Sequence, residues 1–151
     1  MIISMSNEYK DWINEFTSEQ LSNMTLCHKY PILLSPEDKE NTEYLSTQLD
    51  SIPEGWRNNF GERLLADLQE KVDSLKVPED FYIVQMKEKY GSLRVYMSQY
   101  NSEIEEIISY YEHKSAHVCA CCGEEADSID MHLGVPYCCD CTKKNNEREV
   151  Y

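Results

Sequence analysis

Basic residues are scarce in this chain: 14 Lys and Arg stand against 28 Asp and Glu, for a net charge of −14. A surface this acidic repels phosphate backbones, which argues against nucleic acid as the partner. It suits a soluble protein, or one that docks on a basic groove. Glycine is also rare, at 5 residues, and no glycine-rich stretch has the spacing of a phosphate-cradling loop. Phenylalanine is rarer still, with 3 copies against 11 Tyr, so tyrosine supplies most of the half-buried aromatic surface and can present it to a partner. No apolar run approaches the ~18 residues of a membrane span. The opening MIISMSNEYKDW has neither a basic stretch nor a small-residue cleavage site, so the chain is expected to carry no secretory leader and to be cytoplasmic.

The 151 residues fit one ordinary domain with room for a small module. Hydrophobic periodicity predicts an α+β fold, with amphipathic helices packed on a central β-hairpin and a C-terminal zinc ribbon or knuckle. Tyr9, Trp12, Ile13 and Phe16 fall on one helical face. Pro31 and Pro36 make TLCHKYPILLSPEDKE a loop or extended piece, and Ser35-Pro36 then opens a short helix expected to reach Leu49. Trp56, Phe60, Leu64, Leu68 and Val72 recur every four residues and mark the clearest helix, with Gly61 inside it.

The period then changes from four to two. DFYIVQMKEKYGSLRVYMSQY reads as a hairpin, with strands near 81–87 and 93–98 and a turn at 89–92. Tyr82, Val84 and Met86 are expected on one face of its first strand, and Leu93, Val95 and Met97 on one face of its second. Ser102 and Glu105 have capping-box spacing ahead of a helix with Ile104, Ile107, Ile108 and Tyr111 inward. The expected division is a mostly helical part over 1–116, a zinc ribbon over 117–142 and a frayed tail over 143–151.

The chemistry lies in the cysteines, 7 in all. In a reducing compartment clustered cysteines bind metal more often than they pair as disulfides. Cys119-x-x-Cys122 and Cys138-x-x-Cys141 each place two sulfurs on one tight turn, and 15 residues separate the two pairs. That is the pattern of a tetrahedral structural Zn2+ site. Gly123 follows Cys122 and permits the positive φ that lets backbone amides face sulfur. The expected metal set is Cys119, Cys122, Cys138 and Cys141. Sets using Cys121 and Cys139, or one of His117 and His132, remain open, as do a two-metal cluster and C-x-x-C redox chemistry.

Four thiolates close the coordination sphere, whereas a catalytic zinc keeps a position for water. A nucleobase deaminase needs His-x-Glu followed by Pro-Cys-x-x-Cys, but here Tyr137 separates Pro136 from Cys138 and no His-x-Glu precedes them. Cys27 and His28 are adjacent in a stretch read as extended, so their side chains diverge and do not form a nucleophile–base pair. No catalytic residue is therefore assigned. An enzyme reading would have to rest on His113, His117 and His132 near the metal.

Lys87, Glu88, Lys89, Tyr90, Gly91, Leu93, Arg94, Val95 and Tyr96, followed by Cys119, Cys122, Gly123, Cys138 and Cys141, resemble a phage and prophage protein family. Its members carry a KEKFGGLRFY-like segment and a four-cysteine ribbon. LCHKYP and EGWRNNF are weaker echoes of its earlier segments. Ser92 stands where the family has its second glycine, and Val135-Pro136-Tyr137 stand where it has a tryptophan. The resemblance implies a phage setting and the host cytoplasm, and carries no assigned activity.

The function expected is a non-catalytic, zinc-stapled protein that binds another protein, in the manner of an inhibitor of a host defence or regulatory complex. An immunity protein against a toxin fits the same physics. A nucleic-acid-associated ribbon is opposed by residues 117–142, which contain five acidic residues and no Lys or Arg. Neither the partner's identity nor the oligomeric state is legible.

Overall fold

The computed structural model describes residues 16–40, 46–125, 128–130, 134–138 and 140–141. Tyr9, Trp12, Ile13, Cys139, His132 and the tail lie outside them. Among the described residues the fold is α+β: three helices, an antiparallel hairpin and a C-terminal cluster of cysteines beside a second, short hairpin.

Helix α1 spans Ser18–Lys29. Its start is fixed by a capping box between Thr17 and Gln20: Gln20 N donates to Thr17 Oγ1 at 3.1 Å, and Thr17 N donates to Gln20 Oε1 at 2.9 Å; the stripe expected over 9–16 lies, but for Phe16, outside the described residues. The helix runs further than expected and absorbs Cys27 and His28 before Pro31 opens a 3-10 turn. The helix expected to reach Leu49 does not do so. Among the described residues a 3-10 turn, Asp38–Glu40, follows Ser35, and at Thr47 the backbone is extended (φ −129°, ψ 169°), which starts a separate capped turn over Gln48–Ser51.

Helix α2 is built from Glu54–Trp56, a π-helical turn over Arg57–Gly61 and a regular α-helix over Glu62–Asp73. Its predicted stripe is the centre of the core: Trp56, Phe60, Leu64, Leu68 and Val72 are each at most 2% exposed. Burying side chains of this size contributes about 1.5–3 kcal/mol each. Gly61 sits against Leu49, where a Cβ would meet Leu49 Cδ2 at 3.3 Å. The π-helical turn is tied to α1 through Arg57, which pairs with Asp50 and donates to Asn23 Oδ1 at 3.2 Å.

Strands β1 (Ile83–Lys89) and β2 (Ser92–Met97) form the expected hairpin. Tyr90 and Gly91 both have positive φ, 53° and 84°, which makes a two-residue primed turn whose twist suits the strands. Leu93, Val95 and Met97 all face the core as expected. On β1 the expected face is corrected: a bulge between Ile83 and Gln85 makes Ile83 and Met86 the buried pair and leaves Val84 53% exposed. One extra residue inverts the alternation of sides.

Helix α3, Ser102–Ser115, is capped by Asn101, whose Oδ1 accepts from Ile104 N at 2.8 Å. The cap thus lies one residue before the predicted Ser102. Tyr111 packs against Phe60 with ring centroids 5.7 Å apart and donates its hydroxyl to Asp67 of α2. Ser115 Oγ accepts from Leu93 N at 2.8 Å and joins the end of α3 to β2.

Candidate metal centre

Helix α3 carries the chain directly into the first cysteine turn. Val118 bridges to Glu125, Cys119 N donates to Glu124 O at 2.7 Å, and Gly123 N donates to Cys119 O at 3.0 Å. Gly123 closes that turn at φ +82°. The second pair follows β3 (Ser128–Asp130) and β4 (Val135–Tyr137), and Gly134 lies between them at φ +74°. Ala120 N donates to Pro136 O at 2.9 Å and clips the two cysteine turns together.

Cys119, Cys122, Cys138 and Cys141 thereby converge. Their Sγ atoms all lie within 4.8 Å of one another, close enough to hold a metal ion. A tetrahedron with metal–sulfur bonds of about 2.3 Å has sulfur–sulfur edges of about 3.8 Å, and Cys122 Sγ lies 3.5 Å from Cys138 Sγ. Cys119 and Cys141 are buried, Cys138 is half-buried and Cys122 is exposed. Among the described residues no other group of Cys, His, Asp and Glu comes this close together. Cys121 is exposed and outside the quartet, while Cys139 and His132, the other substitutes the spacing allowed, lie outside the described residues.

The electrostatics fit a site that needs a cation. Burial pushes the Cys119 thiol up, but backbone N–H groups of Cys122, Cys138 and Cys121 aim at its sulfur and bring it down to about 7. Burial and contact with the other three sulfurs, then with Cys121, push the Cys141 thiol well up. Cys122 is held down by the Glu124 N–H, but burial and the Cys138 and Cys119 sulfurs outweigh it and raise it. Without positive charge the first thiolate obstructs the others; with a divalent ion all four ionise together.

The cluster is joined to the body by Trp56 of the predicted stripe and by Gly55 and Asn59, which periodicity did not single out. Gly55, in the first turn of α2, donates its N–H to Ala120 O at 2.9 Å. A Cβ on Gly55 would stand 2.1 Å from Cys119 O and 2.7 Å from Gly123 N, so backbone fills the space of a side chain. Trp56 Nε1 donates to Val118 O at 2.9 Å, and Asn59 Nδ2 donates to Gly123 O at 2.7 Å. These three bonds cross the boundary expected at 116/117. The signal available in the sequence was a glycine at a helix start followed by Trp and Asn, a placement that costs a helix about 1 kcal/mol unless something needs the room.

The remaining sequence candidates fall elsewhere. Cys27 is 2% exposed, and burial, then the charges of Asp38 and Asp50, push its thiol up to about 11. His28 is exposed on the next position of α1. His113 and His117 line a groove of about 670 Å3 with Asn59, Arg63, Tyr110 and Glu125. No helix among the described residues is long and apolar enough to cross a membrane. Compared with family models, curated proteins and solved structures, the chain matches none of them.

Proposed function

We propose that Cys119, Cys122, Cys138 and Cys141 hold one structural Zn2+ as a small ribbon, and that the chain acts without catalysis by binding another protein. The observation that carries this is the convergence of four sulfurs, two of them buried, on a turn whose backbone is packed against α2. Such a set is coordinatively complete, so the ion's work is to hold the C-terminal end in place. The acidic composition and exposed Tyr90, Tyr100 and Tyr110 support a protein as the target. The resemblance of KEKYGSLRVY and the cysteine pairs to phage proteins is the ground for a phage setting, in which inhibition of a host complex is the role proposed.

Elemental analysis of purified protein tests the first half: one zinc per chain, with no metal-bound exchangeable water, is expected. Zinc-free folded protein refutes it. Capture from the cells that naturally make the chain tests the second half, with one stoichiometric protein expected.

A second reading is favoured by the groove bearing His113 and His117, whose volume lies in the range of small-molecule sites. A second metal equivalent taken up by zinc-loaded protein, and lost in His117→Ala, would establish it.

A further inference from the structure

The hairpin's outward row is unlike the rest of this acidic chain. The register pairs Gln85 with Tyr96, Lys87 with Arg94 and Lys89 with Ser92 on one side, and Met86 with Val95 and Glu88 with Leu93 on the other. Met86, Val95 and Leu93 are buried, so the first set points away from the core. It carries three cations, of which Arg94 pairs with Glu112 of α3 at 3.3 Å, leaving Lys87 and Lys89 as its outward charge. Glu88, the acid of this segment, lies on the inner row and accepts from Gly91 N at 2.7 Å. Lys87 and Lys89 stand over Tyr96 and Tyr90, 5.5 and 5.6 Å from the ring centroids. Among the described residues neither lysine is in an ion pair.

Tyr90 is the sharper observation. It is 87% exposed, yet it occupies a left-handed position at φ 53°. Asn, Asp or Gly takes that place in a primed turn with less strain. The ring's exposure means that little packing within the chain offsets the strain. One outward amide on each strand is already taken: Gln48 Oε1 accepts from Met86 N at 3.1 Å and Ser115 Oγ from Leu93 N at 2.8 Å. A partner adding a strand would have to displace these bonds, whereas one that meets the outward side chains would not.

We infer that the outward face of β1 and β2, with Tyr90 at its tip, is the surface that binds the protein partner, and that the partner offers a pocket for one tyrosine ring bordered by carboxylates. This rests on the protein-binding reading above. A protein is favoured over nucleic acid because two lysines and an arginine already paired with Glu112, in a chain of net charge −14, cannot track a run of phosphates.

The test places a photo-crosslinking phenylalanine analogue at position 90, and separately at 110 as a control, in the full-length protein. Each is exposed to lysate of the cells that naturally make it. Any protein captured is then purified and titrated with wild type, Tyr90→Asn and Lys87→Glu/Lys89→Glu. The inference expects capture through position 90 and not 110, an affinity loss of at least about tenfold in both variants, weaker binding at higher salt, and a Tm for Tyr90→Asn no lower than wild type. A partner bound equally well by both variants overturns the surface and leaves the protein-binding reading standing. Capture at neither position overturns both. Capture of nuclease-sensitive material replaces the protein by nucleic acid. A lowered Tm in Tyr90→Asn makes the tyrosine a structural residue and overturns its assignment to binding.

Discussion

Gly55→Ala is the most demanding test of how the cysteine cluster is held. In an ordinary helix this substitution stabilises by up to about 1 kcal/mol. Here the new Cβ would lie 2.1 Å from Cys119 O, 2.7 Å from Gly123 N and 2.8 Å from Ala120 C. All three are backbone atoms, so no rotamer change relieves the contact, and the cysteine turn must move off α2. Three hydrogen bonds go with it: Gly55 N to Ala120 O, Trp56 Nε1 to Val118 O and Asn59 Nδ2 to Gly123 O. Each is worth about 1 kcal/mol net, and a buried indole N–H left without a partner adds to that. The loss is about 3–5 kcal/mol, or about 2–4 after the gain in helix propensity. For a chain of this size that lowers Tm by roughly 5–15 °C. Urea unfolding of the purified protein measures it. Gly134→Ala is the control, since a Cβ at that position would meet nothing within 4 Å and only its φ of +74° is strained; about 1–2 kcal/mol is expected there. A Gly55→Ala protein as stable as wild type would refute this account of how the cluster docks.

Other outcomes follow from the same structure. Cys122→Ser should lose the metal, measured by elemental analysis, and with it the fold of the C-terminal end, whereas Cys121→Ser should keep both; the reverse result would assign the wrong sulfurs. Asn59→Ala should cost about 1 kcal/mol and speed zinc transfer to a chelator, because Gly123 O loses its donor from α2. Cys27 has its folded thiol raised from 9.0 to about 11. The unfolded chain therefore releases that proton first, and stability should fall as pH rises through this window. In Cys27→Ala the fall over the same window should be shallower, as read by unfolding midpoints at successive pH values.

Much of this arrangement is local enough to be visible in the sequence. The Trp56-to-Val72 stripe and the Leu93, Val95, Met97 alternation each repeat one environment along one element, so periodicity alone finds them. The cysteine quartet is legible for a related reason: two sulfurs on one tight turn need a fixed spacing. What escaped depends on single competing bonds or on distant chain. Asn101 took the cap from Ser102 because its side chain reaches the N3 amide, which moved the cap by one residue. The bulge at Val84 and the π-helical turn at Arg57–Gly61 each insert one residue into a regular repeat, and neither leaves a mark in composition. Gly55 is intelligible only once Cys119, far along the chain, is seen lying across it.

With an ion bound in the quartet as proposed, that crossing would make metal affinity and core stability reciprocal quantities. Whatever tightened the ion's grip would also stabilise the turn carrying Trp56, the most enclosed aromatic side chain among the described residues, and whatever loosened that turn would weaken the grip by the same free energy. The protein's persistence in a cell would then track zinc supply, and a substitution in the core would register first as sensitivity to a chelator.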